Sequence, residues 1–415
     1  MIFVKTKQAE RAILIGLDAA PGDWAEFVEL VRTAGAVEAG RVIQPRNEPD
    51  PGFYLGPGKA ESLKALVQEQ AADLIIAIDE LTPAQVNHLS EITGIPVIDR
   101  TDLILDIFAN RALSKEGKLQ VELAQLTYLL PRLTGAGASF SRLGGGIGTR
   151  GPGETKLEID RRRVRRRITD LRMQLAKVEK HRAIQRKQRE KREIPTVSLI
   201  GYTNAGKSTL FNLLTLAGTS AQGRLFDTLD PLSRFVKLPN GQGIILLDTV
   251  GFIKKLPHQL IAAFKSTLEE TVRASLLLHV MDAGDPDLET HFMAVYDVLR
   301  ELGIQNKELI PVLNKTDLVE SQQMIARLAK EWAAVPVSAR TGAGIEDLIG
   351  LIEKKLSQRA AVYRVVLPYA EAGLLNILHQ QTKILEEKYT PEGIILRVES
   401  GAATAQKYRQ YFWRE

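Results

Sequence analysis

The octapeptide Gly201-Tyr202-Thr203-Asn204-Ala205-Gly206-Lys207-Ser208 has residue types at a spacing suited to holding the phosphates of a nucleotide. Glycines at both ends let main-chain N–H groups turn inward around a β-phosphate, where the N-terminus of a following helix adds favourable potential. Lys207 would bridge β- and γ-phosphates, and Ser208 would place its hydroxyl on Mg2+. An apolar β-run at 197–200 precedes the octapeptide and a helical pattern at 209–214 follows it. That context distinguishes a phosphate-binding loop from a chance match.

Four further segments fall at strand ends downstream or in the first loop. Asp248-Thr249-Val250-Gly251 closes the apolar run 244–247. There the carboxylate would hold Mg2+ through water, and the Gly251 N–H would sense a γ-phosphate. Asn314-Lys315-Thr316-Asp317 closes the run 309–313. Asp317 would accept from guanine N1–H and the N2 amine, a pair adenine cannot supply, and Lys315 would lie along the base plane. Ser338-Ala339-Arg340 follows 335–337 and would offer the Ala339 N–H to guanine O6. In the stretch 224–234, Thr228 is the candidate for a second Mg2+ hydroxyl, with Phe226, Asp227, Leu229 and Asp230 beside it. Singly, each fragment also reads as a turn or loop. Their order and their strand-end positions predict a Mg2+-dependent GTP/GDP site with Lys207, Thr228 and Gly251 closest to the chemistry.

These residues need a scaffold, and 415 residues provide for two or three domains with their own cores. The absence of cysteine excludes disulfides, thiolate metal sites and cysteine nucleophiles. No apolar run reaches the roughly 18 residues of a membrane helix, and residues 1–10 lack a signal-peptide core. The expectation is a soluble, cytoplasmic, monomeric protein without a transmembrane segment. Charge is unevenly spread. Residues 161–192 hold 15 of the 55 Lys and Arg but three of the 50 acids, leaving 40 basic against 47 acidic elsewhere. Such a run is either a polyanion-binding surface, RNA above all, or a solvated helix face.

The predicted fold class is α/β, with a P-loop GTPase domain between two smaller ones. Strands at 12–17, 37–44, 74–78 and 96–98 alternate with helices at 22–34, 60–69 and 83–93, a small α/β N-terminal domain over 1–115. Leu119, Leu123, Leu126 and Leu130 form one narrow seam, and Val164, Ile168, Leu171, Leu175 and Val178 another. Between them, 135–153 holds eight glycines in 19 residues. Residues 116–194 therefore read as an antiparallel helical hairpin with a glycine-rich tip, or as two helices packed on different domains. The GTPase domain spans 195–358. A small α+β C-terminal domain over 359–415 is expected to order as strand 363–367, helix 371–388, strand 393–399 and a short last helix.

The five nucleotide segments resemble the TRAFAC-class GTPases. The stretch 141–158, SRLGGGIGTRGPGETKLE, with the cluster Arg161, Arg162, Arg163, Arg165, Arg166 and Arg167 after it, resembles the HflX family, as do Gly56-Pro57-Gly58-Lys59 and 118–126. The likeness runs from about residue 10 to 358. It implies binding to the large ribosomal subunit and its RNA, splitting of stalled ribosomes under stress, and a glycine-rich loop reaching the peptidyl transferase region. Arg142 and Arg150 at that tip would pair with phosphates or stack on bases. Gly56 to Lys59 lacks the spacing of a phosphate loop and reads as a turn entering a helix.

One position departs from the common pattern. Phe252 stands where many small GTPases carry the glutamine that orients water. A benzyl group cannot do this, so unaided hydrolysis is expected to be slow. In related potassium-activated GTPases an asparagine at the Asn204 position helps ligate K+; here it either does so or only shapes the loop. A GTP-gated RNA- or protein-binding scaffold with little hydrolysis is the alternative to a ribosome-acting GTPase.

Overall fold

The computed structural model describes residues 9–46, 48–141, 152–190, 194–215, 225–226, 232–254, 271–304, 307–357 and 360–414. The chain forms two compact units, one built on Met1–Val178 with Leu225 and Phe226 counted in it, the other containing Asp227–Lys254 and the chain after Lys265.

The first unit carries strands β1 (Glu10–Leu17), β2 (Ala36–Gln44), β3 (Leu74–Ala77) and β4 (Val97–Asp99) in the order β2-β1-β3-β4. The pairs β1/β2, β1/β3 and β3/β4 are parallel. Ala12 to Ile15 and Ile75 to Ala77 are fully buried, the continuous apolar run of parallel strands covered on both faces. Helices α1 (Pro21–Ala34), α2 (Pro57–Glu69) and α3 (Pro83–Thr93) fill the crossovers. Gly56 is the N-cap of α2 and donates its amide to Gln44 Oε1 at 2.7 Å, the turn that the sequence suggested at 56–59.

A helix absent from the sequence reading, α4 (Arg100–Arg111), follows β4 directly. Asp99 is its N-cap, accepting from the Asp102 amide at 3.0 Å. The buried Asp99 carboxylate also takes the Leu81 amide at 3.0 Å, the Tyr128 hydroxyl, and Arg132 at 2.7 Å. Tyr128 and Arg132 lie on the long helix α5 (Lys115–Ser141), so this one carboxylate ties α5 to the sheet. Helix α5 differs from a single-seamed helix. Gln120, Val121, Ala124 and Tyr128 are buried together with Leu119 of the expected seam, whereas Leu123, Leu126 and Leu130 of that seam are half-buried.

Helix α6 (Pro152–Glu190) buries Ile168 and Leu171 and exposes Arg162, Arg163, Arg165, Arg166 and Arg167, with Arg161 half-buried. Arg167 grips Glu122 of α5 with two bonds of 2.7 Å. The expected tip residues Arg142 and Arg150 lie outside the described residues.

The second unit holds a six-stranded sheet, order β10-β9-β8-β5-β7-β6, from β5 (Thr196–Ile200), β6 (Leu232–Lys237), β7 (Gly243–Asp248), β8 (Leu276–Asp282), β9 (Leu309–Asn314) and β10 (Val335–Pro336). Only β6 runs antiparallel, against β7. Helices α7 (Lys207–Thr215), α8 (Leu288–Glu301), α9 (Gln322–Glu331) and α10 (Ile345–Ser357) are the described helices of this layer. Strand β5 lies between β7 and β8, and the loop after it opens at the carboxyl edge where such sheets bind ligands.

A four-stranded sheet follows, built from β11 (Ala360–Leu367), β12 (Lys383–Thr390), β13 (Gly393–Gly401) and β14 (Phe412–Arg414), with helices α11 (Gly373–Gln381) and α12 (Ala402–Lys407). The order β12-β13-β11-β14 with antiparallel pairing is a β-α-β-β-α-β unit. It corrects the helix expected over 371–388. That helix ends at Thr382, which is extended, and 383–390 is a strand closed by a hairpin at Pro391-Glu392. Gly393 carries φ +146°, and a Cβ there would sit 2.4 Å from the Leu367 carbonyl. Among the described residues no helix is long and apolar enough to cross a membrane.

Candidate nucleotide-binding site

The loop 201–208 leaves β5 and enters α7 at Lys207. Gly201 has φ +149°, and a side chain on it would strike the Val280 carbonyl of β8 at 2.2 Å. Only glycine fits there. Asn204 adopts φ +61°, a left-handed conformation asparagine tolerates, and is exposed. Tyr202, Thr203 and Ala205 are buried. The Lys207 ammonium is buried and donates to the carbonyls of Gly201 at 3.1 Å and Tyr202 at 2.8 Å. Burial pushes it down to about 8, against the pull of Asp248.

Asp248 ends β7 and is fully buried, with its Oδ2 accepting from the Ser208 hydroxyl at 2.7 Å. A hydroxyl and a carboxylate meeting at the end of the phosphate loop form an oxygen donor set suited to Mg2+. Thr249 donates to the Leu199 carbonyl at 2.6 Å and Val250 is buried, so both hold the backbone course of β7. Gly251 faces the loop. A Cβ on it would come within 2.7 Å of Thr203 Cγ2 and 3.1 Å of Lys207 Nζ. Phe252 then zips onto the loop, donating to the Gly201 carbonyl at 3.1 Å and accepting from the Thr203 amide at 2.7 Å. The Lys254 amide adds a bond of 2.8 Å to the Tyr202 hydroxyl. The Phe252 ring is itself buried.

Asn314 ends β9 and joins three segments. Its Nδ2 donates to the Ala205 carbonyl at 2.9 Å, and its Oδ1 accepts from the Ala339 amide at 3.0 Å. Gly206, with φ +89°, packs so closely that a Cβ would meet Asn314 Nδ2 at 2.3 Å. Offering the Ala339 amide to a guanine O6 therefore requires sharing it with Asn314. Lys315 has φ +62° and pairs with Asp282 at 2.8 Å. Thr316 donates to the Val337 carbonyl at 3.0 Å, and Asp317 Oδ1 accepts from the Ser338 hydroxyl at 2.6 Å. Arg340 is exposed.

The structure thus brings Gly201 to Ser208, Asp248 to Gly251, Asn314 to Asp317, and Ser338 with Ala339 to one edge of one sheet. Phe226 belongs to the first unit, where its ring stands edge-on to Phe108 at 4.7 Å. Asp227, Thr228, Leu229 and Asp230 lie outside the described residues. Sequence reasoning missed Asp282, the partner of Lys315, although it too closes an apolar strand. It also missed His291, whose ring stacks on Tyr202 at 3.8 Å from α8, and nothing in the spacing marks it.

A parallel sheet with a glycine-bounded phosphate loop, an acid at the next strand end and an asparagine-to-aspartate segment two strands away defines the P-loop GTPases. Family models agree in segments. "GTP-binding GTPase N-terminal" matches residues 22–109, "GTP-binding GTPase Middle Region" 111–189, and "50S ribosome-binding GTPase" 196–315. The chain is 47% identical over 392 residues to GTPase HflX of Lacrimispora saccharolytica, covering 93% of this chain and 92% of that one. To GTPase HflX of Escherichia coli it is 43% identical over 403 residues, 95% and 94% of the two chains. A GTP-binding protein from the archaeon Sulfolobus solfataricus, solved with GDP, is 26% identical with a TM-score of 0.45, covering 84% of this chain and 99% of that one. The chain belongs to the HflX family of GTPases. It binds GTP and GDP and hydrolyses GTP, and nucleotide-associated Mg2+ accompanies that fold.

Proposed function

We propose that this GTPase acts on ribosomes as a monomer: loaded with GTP it binds the large subunit, splits or rescues stalled ribosomes under stress, and leaves after hydrolysis. The observation that carries the reading is helix α6, whose exposed arginines concentrate the positive charge of an otherwise acidic chain on one surface. Such a surface gains affinity for rRNA by releasing counterions. The match of 196–315 to a family described as 50S ribosome-binding points to the same partner. Arg142 and Arg150 of the glycine-rich segment would reach the RNA together with Arg161 to Arg167.

In this reading Lys207 neutralises the β- and γ-phosphates while the amides of 202–208 wrap them. Ser208, Thr228 and Asp248 would hold Mg2+, which would supply charge neutralisation at the phosphates. The Gly251 amide meets the γ-phosphate, for which its lack of a side chain beside Lys207 leaves room. Asp317 reads the guanine edge, fixed in plane by Ser338, and Lys315 flanks the base.

The buried ring of Phe252 leaves water positioning to other groups. We assign it to ordering of the switch segments by the large subunit, assisted by K+ held at Asn204, which stands exposed at the loop's bend. Multiple-turnover hydrolysis measured with and without purified large subunits, in K+ and in Na+, tests this. At least tenfold stimulation is expected, greater in K+; equal rates with and without subunits would overturn it. The same buried ring favours the second reading, a GTP-gated scaffold. That reading predicts nucleotide-dependent cosedimentation with no gain in turnover.

A further inference from the structure

The open face of the C-terminal sheet carries groups that neither the nucleotide site nor the basic helix uses. Helices α11 and α12 cover one face of this sheet, where Val365, Leu367, Leu396, Val398 and Phe412 are buried with Leu378 and Ala405. Strand alternation turns Arg364, Arg397 and Trp413 to the other face. Their register is direct: Arg364 pairs with Trp413 on β14 and with Arg397 on β13. Trp413 is 53% exposed and Arg397 46%.

Two features of this row cost the sheet stability. A large indole exposed on a sheet face gives up burial that a smaller residue would not forgo. Two arginines directly opposite one another on neighbouring strands repel, and such pairs destabilise a sheet. On the same row Glu386 pairs with Arg397 at 3.6 Å and with Lys388 at 3.4 Å. Among the described residues Arg364 has no hydrogen bond or ion pair. Strands lie about 4.8 Å apart, so indole, first guanidinium and second guanidinium span about 10 Å, the reach of one nucleotide and its two flanking phosphates.

We propose that this face binds single-stranded RNA, with an unpaired base stacked on Trp413 and the adjoining phosphates paired to Arg364 and Arg397. A four-stranded sheet in β-α-β-β-α-β order presents a flat platform on which bases can lie, and aromatic stacking with flanking arginines is the chemistry that holds an unstacked strand. A helical duplex offers no free base face, so the platform selects unpaired RNA. The site is separate from the nucleotide-binding edge and does not depend on the ribosome reading above.

The test uses the full chain and a single-stranded RNA octamer containing 5-iodouridine. Irradiation should crosslink the octamer to the tryptic peptide 410–414, which contains Trp413. Trp413→Ala should abolish that crosslink, and Arg364→Glu should lower its yield and the local affinity at least tenfold, with basal GTPase rates unchanged. Arg364→Glu also replaces a repelling pair by an attracting one. The expected signature is therefore weaker RNA binding together with a higher melting temperature, which a merely structural arginine would not give. Crosslinks confined to 161–192, or equal protection by a fully paired hairpin of the same length, would overturn the proposal. So would affinity within twofold of the parent in both variants; the face would then belong to a protein partner.

Discussion

The Asp317 carboxylate receives the Ser338 hydroxyl at 2.6 Å, and in the proposed reading it also accepts from the guanine edge. Asp317→Asn places a donor where guanine presents its N2 amine and where xanthine presents an oxygen. GDP affinity should fall about a hundredfold, two charge-assisted bonds at about 1.5 kcal/mol each, while xanthosine diphosphate gains; competition against a fluorescent nucleotide measures both. A second carboxylate speaks to stability. Burial, with Asp99 next in weight and Arg132 opposing, lifts Asp102 to about 7. Between about pH 4 and 7 the unfolded chain has released this proton while the folded one retains it, so stability falls as pH rises through that window. Asp102→Asn keeps the shape and removes the titration. Its melting temperature should exceed the parent's at pH 8 and match it near pH 4; an equal shift at both would refute the assignment.

At the scale of elements, helix starts decide how firmly the crossovers of the first sheet are set. Thr82 and Gln85 close a reciprocal capping box on α3, with the Thr82 amide bonded to Gln85 Oε1 at 2.9 Å. Thr82→Ala should cost about 1 kcal/mol, read as a shift in urea midpoint without a change in slope. The central strands were legible because a parallel strand covered on both faces must be apolar along its length, and those runs stop where polar site residues begin. Helix α4 was not legible, since it opens on Arg100-Thr101-Asp102 and takes its cap from the last residue of a strand. In α5 the obvious leucines drew attention from the stripe that packs on the domain, because that stripe contains Gln120 and Ala124. Strand β12 was read as helix since its Leu, Lys and Glu favour that state, and the turn at Pro391-Glu392 ahead of Gly393 is the local signal against it.

Over the whole molecule, charge is the property that sequence reports best, because it needs no fold to be counted. Arg162→Gln, Arg165→Gln and Arg166→Gln together should reduce the slope of log affinity against log salt by about 2 to 3 for large subunits; an unchanged slope in sedimentation would remove α6 from the contact. Which distant residues meet is what the sequence could not report. The Asp282 partner of Lys315 and the His291 ring on Tyr202 are chosen by tertiary approach alone. The same holds for Asn314, whose side chain touches the phosphate loop on one side and the Ala339 amide on the other. In the proposed reading that single amide group rivets the seat of the purine to the seat of the phosphates. Guanosine and pyrophosphate offered separately must each surrender their own freedom of motion, whereas GDP surrenders it once, so the joined ligand outbinds the product of its halves. Asn314→Ala would turn one clasp into two loose ones, and that advantage would shrink even though no atom that touches the β-phosphate had changed.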